Sequence, residues 1–177
     1  MATTTDTVRP AVWIGCLACY NEGKLIGEWH DAEDAGEVTP DDIHDRETTG
    51  HDELWCFDIE GFPPNTGEMS PCEAAQWGEI FREIDKDEWR AYLAFVESGI
   101  SSAEPTEQES VDEFREHYRG TWGSFSDYLA EEIEALQVDW SETAKQYFDW
   151  NAYERDAGFD YFLANAPEGN IYVFATY

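Results

Sequence analysis

Positive charge is what this sequence most lacks. Three Lys and seven Arg stand against 24 Glu and 16 Asp in 177 residues, which leaves a net charge of −30. So anionic a chain repels nucleic acid and anionic membrane surfaces, and it attracts proteins whose working surface is basic. Long apolar runs are missing too: no stretch reaches the roughly 18 to 20 apolar residues that span a bilayer. The opening MATTTDTVRP has none of the apolar core of a signal peptide. A cytoplasmic protein with neither a membrane nor a nucleic-acid partner is expected. Cysteine is sparse, with only Cys16, Cys19, Cys56 and Cys72. With no secretory signal, these are expected to be reduced thiols rather than a disulfide framework. Internal repeats and low-complexity tracts are absent as well.

Aromatic residues, by contrast, are abundant. Eight Trp, nine Tyr and ten Phe within 42% hydrophobic content exclude a disordered acidic tail, a class poor in aromatics. The chain should fold around a core in which large side chains supply much of the burial. Self-repulsion on this scale opposes compaction and therefore needs a reason. The charge is also spread out, with a net −12 over residues 10–62, −6 over 63–104 and −12 over 105–177.

Periodicity and turn residues divide the chain. Val12 to Tyr20 reads as a buried strand, Asn21-Glu22-Gly23 as a turn, and Leu25 to Trp29 as a returning strand. The acidic stretch Asp31 to Asp45 holds a short helix or loop, and Leu54 to Ile59 a third strand. Ser70-Pro71-Cys72-Glu73 combines an N-cap, a proline at the first helical position and a capping-box Glu, so a helix starts there. Trp77, Ile80, Phe81 and Ile84 give it one apolar stripe, and Trp89, Tyr92, Leu93 and Val96 form the stripe of a second helix. Ser101 to Thr106 reads as a linker and Val111 to His117 as helical. Ser124 caps a stronger helix with Phe125, Tyr128, Leu129, Ile133 and Leu136 on one face. Tyr147 to Tyr153 fits either element type, and Ile171 to Phe174 reads as a terminal strand. The fold class is α+β. We expect an N-terminal tail (1–9), a mixed α/β module (10–62), a helical module (63–104) and an α+β module with an acidic helix (105–177), arranged as an elongated row.

An elongated row would match the charge density of DNA better than a ball does. Duplex DNA carries one negative charge per about 1.7 Å of axis, so thirty charges at that density cover roughly 50 Å. A compact chain of this length is a globule only about 40 Å across. Carboxylates accept the same charge-assisted hydrogen bonds that Arg and Lys give to phosphate, so a row of acids can fill a basic groove built for DNA. Composition alone does not separate such a role from acidity acquired as adaptation to salt.

The residues narrow the choice. Tyr20-Asn21-Glu22-Gly23-Lys24-Leu25-Ile26-Gly27-Glu28-Trp29 resembles the opening of ArdA-type antirestriction proteins, in which a strand ends in a Tyr-Asn-x-Gly turn and returns through Gly-x-Trp. Further likenesses follow in order: WCFDIEGF (Trp55 to Phe62) to the third strand and its exit, LAEEIEAL (Leu129 to Leu136) to the acidic helix, and YFDWNAYERD (Tyr147 to Asp156) to the late aromatic segment. The resemblance runs from about Val12 to Phe174. It implies a homodimeric DNA mimic, carried by mobile genetic elements, that occupies the DNA site of type I restriction-modification enzymes and has no catalytic residues. On that reading the mimic surface would comprise Asp31, Glu33, Asp34, Asp41, Asp42 and Asp45 in the first module, and Asp127, Glu131, Glu132 and Glu134 on the acidic helix.

Two other readings remain. An acidic adaptor or chaperone for basic proteins would share this composition without copying duplex geometry. A carboxylate-based or metal-dependent hydrolase would need a specific constellation, and forty acids supply chance pairs in abundance. Cys16-Leu17-Ala18-Cys19 has zinc-ligand spacing, but within a strand its thiols would face opposite sides, and no second CxxC or paired His follows. Buried thiols with no metal and no cofactor are the expectation, with His30, His44, His51 and His117 in surface or capping roles.

Overall fold

The computed structural model describes residues 8–45 and 49–177. Most of the expected N-terminal tail, residues 1–7, therefore lies outside the described residues. The first sheet is antiparallel and three-stranded, with β1 (Ala11–Cys16) between β2 (Gly27–Asp31) and β3 (Leu54–Glu60). Val12 and Ile14 of β1 point inward and are fully buried. A bulge shifts the β1–β3 register between Trp13 and Ile14, so Trp13 faces Asp58 while Ile14 faces Cys56. Gly15 pairs with Gly27 across β1 and β2. A Cβ on Gly27 would sit 2.7 Å from the Trp13 ring and 2.4 Å from the Ile14 carbonyl, so the Gly-x-Trp return leaves room for an indole.

The apolar run from Val12 does not stay extended to Tyr20. At Cys16 the chain turns into α1 (Leu17–Asn21), because the Cys16 Sγ caps the helix by accepting the Cys19 amide at 3.5 Å. The acidic stretch that follows β2 holds a 3-10 turn (Ala32–Glu37) and then α2 (Pro40–Ile43).

Two helices come next, as their stripes require: α3 (Pro71–Glu83) and α4 (Trp89–Ser98). Ser70 and Glu73 close the capping box of α3 reciprocally. The Ser70 amide and hydroxyl hold the Glu73 carboxyl below the usual carboxylate range. Helix α3 lies directly on the 3-10 turn, since a Cβ at Gly78 would come within 2.5 Å of the Glu33 Cα. In α4, Trp89, Tyr92 and Phe95 are completely buried. The Trp89 indole donates to the Gly61 carbonyl at 2.9 Å, and the Tyr92 hydroxyl donates to the Pro105 carbonyl, which ties down the expected linker.

The last part of the chain runs α5 (Gln108–His117), β4 (Tyr118–Trp122), α6 (Phe125–Leu136), α7 (Glu142–Gln146), α8 (Trp150–Ala157), β5 (Tyr161–Asn165) and β6 (Ile171–Ala175). Its sheet has the order β4-β6-β5, antiparallel throughout. Two of its strands, β4 and β5, went unrecognised in the sequence. Strand β4 follows α5 without an intervening turn, and β5 exposes Phe162 and Leu163 rather than alternating apolar with polar. In the ambiguous stretch Tyr147 to Tyr153, Tyr147 is the C-cap of α7 and the residues from Trp150 onward belong to α8.

One buried cluster runs from Val12 and Ile14 through Trp77, Phe81 and Trp89 to Phe95, Phe114 and Phe174, and so draws on all three sequence segments. A smaller one, Tyr128, Leu129 and Val173 with Trp122, Phe125, Trp150 and Tyr161 against it, seats α6. No helix among the described residues is long and apolar enough to cross a membrane.

Candidate functional site

Helix α6 presents the clearest ordered array of charge. Ser124 caps it by accepting the Asp127 amide at 3.1 Å, while its hydroxyl donates to the Asp127 carboxylate at 2.7 Å. Tyr128, Leu129 and Ile133 bury the inner face, and this turns Asp127, Glu131 and Glu134 outward, all three exposed. Their spacing of four and then three residues aligns them in one stripe. At about 1.5 Å of rise per residue, the charges succeed one another every about 4.5 to 6 Å along the axis. Phosphates on one DNA strand follow every about 3.4 Å, so the stripe has the linear charge density of a single strand to within a factor of about two.

Glu132 does not belong to that stripe. It turns inward, where its carboxylate accepts hydrogen bonds from the hydroxyls of Tyr128 (3.1 Å), Tyr153 (3.3 Å) and Tyr161 (3.0 Å). Burial first, and then the adjacent Glu132 charge, raise the Tyr153 hydroxyl above its ordinary pKa, so it remains a donor. Burial likewise raises Tyr161. Glu132 thus anchors α6 to α8 and β5.

The six acids chosen in the first segment divide in the same way. Glu33, only 14% exposed at its side chain, accepts from Arg9 at 2.7 Å and from Arg82 at 2.8 Å, and Asp31 also pairs with Arg9. These two are already paired with cations: Arg9, just before β1, holds the end of β2 and the 3-10 turn, and Arg82 fastens the turn to α3. Asp42 accepts the Thr39 amide at 2.9 Å and hydroxyl at 2.6 Å, and so caps α2. Asp34, Asp41 and Asp45 are exposed, the last in the left-handed conformation just beyond α2.

A third group was missed. Glu109, Asp112 and Glu116 of α5 are all exposed and share a face at spacings of three and four, although Asp112 also pairs with Arg115 at 3.5 Å. The signal was available, because it is the same spacing that marks α6.

Set against known protein families, residues 12–171 match the antirestriction protein family ArdA. The chain belongs to the ArdA family. As an ArdA protein it is an antirestriction protein, a class that acts on restriction enzymes and is not a known enzyme family. The match runs from β1 to the first residue of β6, covers every helix from α1 to α8, and takes in each acidic group described above. A comparison with curated proteins returned no match.

The cysteine pair of this ArdA chain is not arranged as its sequence suggested. Because α1 begins at Cys16, Cys16 and Cys19 lie one helical turn apart with their thiols on the same side. Both are within 3.4 Å of the His51 Nδ1, and His44 joins them, so the paired histidines absent from the expected pattern come from α2's C-cap and the approach to β3. Burial, followed by the effect of Cys16 alongside, raises the Cys19 thiol above its ordinary value.

Proposed function

We propose that this protein defeats restriction by mimicking duplex DNA, and that its target is the DNA-binding groove of type I restriction-modification enzymes. The observation that carries the reading is the exposed Asp127, Glu131 and Glu134 stripe, regular in spacing and set on a helix whose inner face is packed in the core. Asp34, Asp41 and Asp45, together with the α5 face, extend the negative surface in a chain whose net charge is −30. The charge-assisted hydrogen bonds that Arg and Lys form with phosphate suit these carboxylates equally well.

Homodimerisation would lengthen the array further, and the edge strand β5, with Phe162 37% and Leu163 41% exposed, is a suitable seam.

The deciding experiment is competition. A labelled duplex bound to a purified type I enzyme should be displaced by this protein, and both complexes should weaken steeply as salt rises. A ternary complex that retains its DNA would refute mimicry and favour the adaptor reading. Solution scattering supplies the shape: an elongated dimer is expected, and a spherical particle would contradict the proposal.

A further inference from the structure

We propose that Cys16, Cys19, His44 and His51 form a closed four-ligand site for a divalent metal ion with the ligand preferences of zinc. One candidate donor atom from each residue lies within 4.8 Å of all the others, and both thiols are buried. The four come from three separate places in the first sheet region. Cys16 ends β1, Cys19 lies in α1, His44 is the C-cap of α2 and His51 precedes β3.

Ordinary hydrogen bonding does not account for the cluster. The His51 Nδ1 is 3.3 Å from the Cys16 Sγ and 3.4 Å from the Cys19 Sγ. A single ring nitrogen offers one lone pair or one proton, so it cannot serve two thiols at once. The His44 Nε2 is buried with no hydrogen-bond partner among the described residues, although its ring packs edge-on to His51 with centroids 5.6 Å apart. A buried, unpaired imidazole nitrogen is costly, and a nitrogen of this same ring lies within 4.8 Å of both thiols and of the second imidazole.

A metal ion satisfies every one of these groups. Zinc takes Cys sulfur at about 2.3 Å and His nitrogen at about 2.0 to 2.1 Å in a tetrahedron, which places the ligand atoms about 3.3 to 3.8 Å apart. The two sulfur–nitrogen separations already fall at the short end of that range. The Cys19 amide aimed at the Cys16 Sγ would support thiolate charge. Two sulfurs and two imidazoles select a borderline-soft ion over Mg²⁺ or Ca²⁺, which prefer oxygen. With four protein ligands no coordination position is left for water or substrate, so the site is structural. It would tie α1, the end of α2 and the entry to β3 together. It does not depend on the mimicry reading and stands or falls without it.

The full-length, reduced protein is stripped with a chelator and titrated with Zn²⁺ alone and with Co²⁺ alone. One equivalent of Co²⁺ should give the thiolate-to-metal charge-transfer band and the intense visible bands of a tetrahedral site, and Zn²⁺ should abolish them and raise the thermal midpoint. Cys16→Ser and Cys19→Ser should each weaken Zn²⁺ binding about a hundredfold or more, and His44→Asn and His51→Asn should weaken it as well. Cys72→Ser, at an exposed thiol outside the cluster, should leave Zn²⁺ and Co²⁺ binding unchanged. Circular dichroism identifies any variant that fails to fold, and alkylation protection of Cys16 and Cys19 in the Zn²⁺-loaded wild type tests the same assignment without a substitution. Absence of the thiolate band, binding that survives loss of Cys16 and Cys19, or unprotected thiols in the presence of Zn²⁺ would overturn the site.

Discussion

Glu131 and Glu132 are adjacent in sequence, yet a helix rotates successive side chains by about 100°, and that rotation gives the two opposite roles. Glu131 stands in the exposed stripe, whereas Glu132 collects three tyrosine hydroxyls. Hydrogen bonds to a charged group contribute about 1.5 to 3 kcal/mol, and orphaning their partners adds to the loss. Glu132→Ala should therefore destabilise the fold by about 2 kcal/mol or more, while Glu131→Ala should stay within about 0.5 kcal/mol of wild type. Chemical denaturation of the two variants measures the contrast directly. Equal stabilities would mean that the tyrosine clamp contributes nothing.

At the scale of elements, the contact between α3 and the 3-10 turn reverses an ordinary rule. In an exposed helix, Gly→Ala stabilises by about 1 kcal/mol. At Gly78 the added methyl would meet the Glu33 backbone at 2.5 Å, and backbone atoms cannot move aside as a side-chain tip can. Gly78→Ala should cost about 1 to 3 kcal/mol, as overpacking does. Thermal unfolding checks the sign. A raised midpoint would show that the helix and turn separate easily. The same variant should disturb the ion pair that joins Glu33 to Arg82 of α3, because that pair bridges the contact.

At the scale of the whole molecule, charge acts collectively. An exposed ion pair contributes about 0 to 1 kcal/mol, so Asp127→Asn, Glu131→Gln or Glu134→Gln alone should weaken inhibition less than about fivefold, at about 1.4 kcal/mol per tenfold. The triple variant should show approximately the sum, with stability lowered by no more than about 1 kcal/mol through loss of the Asp127 charge in the first turn of α6. Inhibition assays of the series against a type I enzyme measure the effect, and complete loss from one exposed change would point to a localised site instead of distributed mimicry.

The sequence by itself determined the net charge and its spread, the α+β class, the capped starts of α3 and α6, and the resemblance to the family that the chain proved to belong to. These are local or additive properties, set by side-chain period, capping chemistry and composition. It did not reveal β4 or β5, whose pairing depends on β6 rather than on any pattern of their own. Nor did it separate free carboxylates from committed ones. Glu33 and Glu132 read as surface acids until the fold placed arginines and tyrosines around them. The clearest case is Cys16 to Cys19: a strand would have sent the thiols apart, and only the turn into α1, with His44 and His51 arriving from distant positions, gathers four ligand atoms in one place. Convergence of residues far apart in the chain is a property of tertiary packing, so no local spacing could announce it.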